Sequence, residues 1–149
     1  MALVTPLLMV LMFGAAELGK YFLDEHVVSK AVRDGARYAS RRSFSEYSCG
    51  GVSSDVIDKT RNLTRTGQVA SGGFARLAYW TSATTITVSV TCNTTSPAHN
   101  NGIYKGLMTG VPVVTVAAAV PYASLFQNLG FGASAISLNS RSQAAVMGI

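Results

Sequence analysis

Residues 1–16, MALVTPLLMVLMFGAA, contain no ionisable side chain, and this run restricts the chain more than any other feature. A membrane-spanning helix needs about 20 apolar residues, whereas a secretory signal has a basic n-region ahead of a shorter apolar run. The segment has no Lys or Arg before the run, so the signal-peptide reading is the weaker one, although Gly14-Ala15-Ala16 resembles a cleavage site. Helical spacing continues beyond Ala16. Leu18, Tyr21, Phe22, Val28, Val32, Gly35, Ala36 and Ala39 recur at steps of three and four, with Glu17, Lys20, Asp24, Asp34, Arg37 and Arg41 mostly on other faces. One helix is therefore expected from about Thr5 to about Arg42, roughly 60 Å long at 1.5 Å per residue. Pro6 falls in its first turn, where a missing N–H costs little. The pattern divides the helix into a greasy part, residues 1–16, and an amphipathic part, residues 17–43.

The greasy part supplies the candidate membrane or filament-core residues: Leu3, Val4, Leu7, Leu8, Val10, Leu11, Met12 and Phe13. Glu17 stands at its border, where a carboxylate in lipid would need a partner. Two readings stand: an end charge, solvated or snorkelling, paired with Lys20, or a charge pair with a neighbouring subunit. Lys20–Asp24 and Lys30–Asp34 have the four-residue spacing of helix ion pairs. Arg33, Arg37 and Arg41 form one stripe at the same spacing. They read as a solvated face, as partners of carboxylates in the head, or as contacts to anionic lipid or to acidic groups of a neighbouring subunit.

The remainder, residues 44–149, reads as one small β-rich head, giving an α+β chain in which a long N-terminal helix packs on a small antiparallel sheet. The segment SFSEYSCGGVSS is a loop by composition. A short helix is expected near residues 54–66, capped by Ser54, with Val56, Ile57, Thr60 and Leu63 inward and Gly67 beyond its end. Residues 84–91, TTITVSVT, alternate strictly and form the clearest strand. Residues 111–120 are apolar on both faces, as in a central strand, and residues 134–146 alternate again, with Ile136, Leu138, Ala144 and Val146 on one side. Residues 97–102, PAHNNG, are a turn-rich connector. Cys49 and Cys92 lie beyond the apolar segment, on the exported side if that segment crosses a membrane. They then pair naturally in a disulfide worth about 4 kcal/mol in the chain-entropy model. Separate thiols in a reducing compartment are the alternative.

Net charge is +5 at 48% apolar and 13% charged residues. A basic balance permits nucleic-acid binding, but no recognition motif or aromatic interleaving accompanies it, so nucleic acid is not an expected partner. The two histidines, His26 and His99, sit outside any HExxH, and there is no CxxC or GxSxG. Glycine-rich pieces such as Gly130-Phe131-Gly132 lack the lysine of a phosphate loop. No enzyme activity, cofactor or metal is expected.

Ala2-Leu3-Val4-Thr5-Pro6-Leu7-Leu8, Phe13-Gly14, Glu17-Leu18-Gly19-Lys20 and Ala31-Val32-Arg33-Asp34-Gly35-Ala36-Arg37-Tyr38-Ala39 together resemble the N-terminal signature of TadE/TadG-like pilins of tight-adherence secretion systems. The resemblance covers about forty residues in the right order and spacing. It implies a subunit held in the inner membrane by its N-terminal helix and then assembled with copies of itself, or with related pilins, into an extracellular filament. It further implies a leader cut by a prepilin peptidase, a glutamate just upstream of Met1, and an assembly ATPase and platform. A membrane-anchored accessory subunit that primes or caps another protein's filament, and an exported adhesive head, are the alternatives.

Overall fold

The computed structural model describes residues 4–95, 101–107, 110–125 and 136–149. Leu3, His99, Gly130-Phe131-Gly132, Ser134 and most of the PAHNNG connector lie outside the described residues. Helix α1, Val4–Ser40, is continuous through Pro6 and ends two residues earlier than its periodicity suggests, where Arg41 N–H donates to the Tyr38 carbonyl. A sheet of order β3-β4-β5 packs against its second half, with β3 Ile86–Asn93, β4 Val111–Pro121 and β5 Ser137–Ala145, all antiparallel. This is the α+β arrangement expected, with β4 in the centre.

Burial follows from the alternation. Val114, Val116, Ala118 and Val120 of β4 turn toward α1, whose Val28, Ala31, Val32 and Ala36 are closed from solvent. Trp80, 1% exposed, fills the space beside them and donates its indole N–H to Thr85 at 2.8 Å, which satisfies its one polar atom. The opposite face of β4 carries Val113, Thr115, Ala117 and Ala119. Thr115 is buried there and accepts a hydrogen bond from Gln143.

Three details differ from the sequence expectation. The SFSEYSCGGVSS segment contains a hairpin, β1 Tyr47–Ser48 and β2 Gly51–Val52, each strand too short for alternation to register. Residues Ala83–Thr85 form a tight helical turn, and the strand begins at Ile86. Helix α2, Ser54–Thr66, is preceded by Ser53 as its cap residue, and it buries Val56, Thr60 and Thr64 while Leu63 remains only half-buried. Gly67 ends α2 in the left-handed region at φ 80°, its N–H donating to Leu63 O.

The reason for threonine at the helix contact is α1. A Cβ placed on Gly35 would lie 2.1 Å from Thr64 Oγ1, so the two helices meet where one has no side chain. A leucine at position 64 has no room in that crossing. Cys49, at the hairpin turn, and Cys92, near the end of β3, are joined by a disulfide with Cα atoms 5.5 Å apart. It fastens the segment after α1 to an edge strand of the sheet.

Candidate membrane and assembly surface

The stem of α1 is uncovered on every side. Val4, Leu7, Leu8, Met9, Val10, Leu11 and Met12 are all between 54% and 61% exposed, and Phe13 is 39% exposed. A helix packed in a globular core buries one stripe, so uniform exposure of large apolar residues leaves a surface that water does not tolerate. Among the described residues α1 alone is long and apolar enough to cross a membrane, and none of its most apolar stretch is buried. By length and composition such a helix suits a membrane anchor.

The head first meets the stem at Glu17, through a collar of polar groups. The Glu17 carboxylate accepts from the Leu125 backbone N–H at 3.0 and 3.3 Å, and its carbonyl accepts from the Tyr122 hydroxyl at 3.3 Å. One turn further, Lys20 Nζ donates to Ala123 O at 2.6 Å, lies 3.9 Å from Asp24 and sits over the rings of Tyr79 and Tyr122. Tyr79 in turn donates to Asp24 at 2.8 Å. Burial, reinforced by that hydrogen bond to Asp24, raises the Tyr79 phenol well above its usual range. Burial and the adjacent Glu17 do the same at Tyr122.

The collar changes the sequence reading of the charges. Of the expected helix pairs Lys20–Asp24 is present, but Glu17 turns to the head and Asp34 turns to Arg76, 3.1 Å away, instead of to Lys30. Neither partner is visible to a search of neighbouring turns, since Arg76 and Leu125 are 42 and 108 residues distant. The third ion pair among the described residues is Lys59–Asp55, on α2.

Lys30, Arg33, Arg37 and Arg41 all remain exposed, on the side of α1 turned away from the head. Among the described residues Arg33 reaches Ser29, at 3.4 Å. Arg42 belongs to a different face and stacks on Tyr38, 4.4 Å from the ring centre. His26 is exposed on α1. Among the described residues no cluster of three His, Cys, Asp or Glu could hold a metal ion.

Residues 1–37 match the model of the TadE-like protein family; the described part of that match lies within α1, and the head is outside it. Neither curated proteins nor solved structures give a match. The N-terminal quarter of the chain is similar to TadE-like proteins, and with the exposed apolar stem this fits a membrane-anchored, pilin-like subunit.

Proposed function

We propose that the chain is a structural, non-enzymatic subunit of an extracellular filament, held in the inner membrane by α1 until assembly and then packed with copies of itself or related pilins. The observation that carries this reading is the uniform exposure of residues 4–12. Full burial of a Val, Leu, Met or Phe side chain is worth about 1.5–3 kcal/mol. For the eight large residues from Val4 to Phe13 that amounts to on the order of 10–20 kcal/mol before any cost of association. Such a surface needs lipid or a bundle of like helices around it, and a subunit that passes from one to the other meets both conditions. Cleavage by a prepilin peptidase and delivery by an assembly ATPase and platform belong to the same reading, through the family resemblance alone. The Cys49–Cys92 bond agrees with a head that matures in an oxidising compartment.

The experiment is to shear cells that express the chain and to follow it by immunoblot and negative-stain microscopy. Filaments in the sheared supernatant in which this chain is the main component support the proposal. Recovery of the chain only in the membrane fraction, or at trace level in filaments of another protein, rejects it in favour of an accessory role.

A further inference from the structure

The outward side of α1 changes chemistry along its length, and the order of change matches that of a bilayer. Leu8, Met12, Ala15, Gly19 and Leu23 follow one another on this side, all exposed, and the next exposed residues are His26, Lys30, Arg33, Arg37 and Arg41. Residues 4–23 give about 20 positions and roughly 30 Å, the thickness of one hydrocarbon core. On the side turned to the head the apolar part stops earlier, at Glu17, where Leu125 is 55% exposed beside the collar. No carboxylate interrupts the cationic stretch: Asp34, the nearest, is taken by Arg76.

We propose that, before assembly, the outward face of α1 rests on anionic phospholipid headgroups, with its apolar length to Leu23 in hydrocarbon and Lys30, Arg33, Arg37 and Arg41 above it. The inference rests on the membrane-anchored reading of α1. Three physical points favour lipid over another surface. Side chains on a helix tilt toward its N-terminus, so the Lys30 and Arg33 heads reach back toward the membrane. Lys30 lies about 10 Å beyond Leu23 along the axis, within reach of the headgroup layer. Finally, the boundaries at Leu23 on one side and Glu17 on the other differ by about 9 Å across a helix 10–12 Å wide. A flat membrane meets both only if α1 leans toward its basic face, which brings Arg37 and Arg41 closer to the headgroup layer as well.

A second copy is a poorer occupant. Of the seven acidic residues, Glu17, Asp24, Asp34 and Asp55 are already engaged within the chain. That leaves Glu25, Glu46 and Asp58, on three separate elements, to face four aligned cations.

The test uses the full chain in nanodiscs of equal phosphatidylcholine and phosphatidylglycerol, with the lipids retained on the protein counted by native mass spectrometry. Each basic residue near an anionic surface contributes about fivefold, so phosphatidylglycerol should be enriched several-fold over the bulk. The Lys30→Gln/Arg33→Gln/Arg37→Gln/Arg41→Gln chain should retain the two lipids equally. Arg33→Lys/Arg37→Lys/Arg41→Lys, which keeps the charge, and Arg141→Gln, on the far side of the sheet, should both keep the enrichment. Equal retention by the wild type, or enrichment that survives the fourfold substitution, overturns the proposal and turns attention to an acidic protein surface. Failure of the wild type to enter nanodiscs of either lipid would overturn the membrane anchor itself, a separate result.

Discussion

Gly35→Ala should destabilise the head although alanine is the better helix former. In an exposed helix the exchange gains about 0.8–1 kcal/mol. Here the added Cβ would stand 2.1 Å from Thr64 Oγ1, whereas Thr64 Cβ and Thr60 Cγ2 lie at acceptable distances of 3.4 and 3.5 Å. The oxygen must withdraw by more than 1 Å, and it is held by its own bond to Thr60 O at 2.7 Å inside a fully buried contact. Either that bond breaks or α2 moves off α1. Overpacking costs about 1–3 kcal/mol, and a 2.1 Å approach to a bonded, buried oxygen belongs to the upper part of that range, about 2–3 kcal/mol, so the net loss after the helix gain is about 1–2 kcal/mol, a drop of roughly 5–15 °C in melting temperature for a head of this size. Trp80 is the single tryptophan and is buried, so its fluorescence in detergent micelles reports the transition. Thr64→Ala removes the clashing oxygen, and the double variant should therefore be more stable than the sum of the two single effects. A Gly35→Ala protein as stable as wild type, or strict additivity in the double variant, would refute the close crossing of α1 and α2.

Loss of the disulfide through Cys49→Ser/Cys92→Ser should cost about 4 kcal/mol, or roughly 15–30 °C in melting temperature, because the bond spans 43 residues; a shift of a few degrees would contradict that. Burial pushes the Tyr47 phenol up to about 12, and Tyr79 and Tyr122 are raised as well, so all three hold their protons more tightly folded than unfolded. Their stabilisation is complete below pH 10 and is lost as pH rises through the folded value. The melting temperature should thus fall steeply between pH 10 and 12, and less so in Tyr47→Phe; a flat profile would speak against it. Leu11→Asp places a charge on the exposed stem at a cost of about 3 kcal/mol in lipid. It should shift the chain out of the membrane fraction while leaving the Trp80 transition of the head unchanged.

The sequence discloses what local periodicity encodes and little of what depends on distant partners. The change from uniform to one-sided apolarity at Ala16 is visible in composition, as are the alternation of Ile86, Val88 and Val90 and the two-faced apolarity that makes β4 central. Thr60 is legible as an inward residue of α2, but Thr64 escapes because a hydrophobic criterion ranks Leu63 above it, while the contact it makes is governed by the missing side chain of Gly35. The only hint is a glycine within a helical pattern, which costs stability unless something must come close. Arg76–Asp34 and Leu125–Glu17 escape for another reason: the i+4 rule offers each carboxylate a nearby cation worth only tenths of a kcal/mol, and a tertiary partner easily displaces it.

The collar bears directly on the role of Glu17. With Leu125 N–H on both carboxylate oxygens, pairing across subunits would first require loss of that bond, and a charge-assisted hydrogen bond of this type is worth about 1.5–3 kcal/mol. Within the proposed filament the hydrophobic term gives no compensation, because a stem that leaves lipid for a bundle of helices exchanges one apolar surrounding for another. Cohesion must then come from close helix packing and from contacts between heads. Glu17 is better placed as the joint that fixes the angle of the head on the stem than as a charge offered to a neighbour. If so, Glu17→Gln, which keeps an acceptor for Leu125, should assemble nearly as well as wild type. Glu17→Ala should loosen the head, seen as faster proteolysis around residues 121–125, before any effect on filament strength. Equal filament weakening by Gln and Ala, without a change in proteolysis, would return the carboxylate to an intersubunit role.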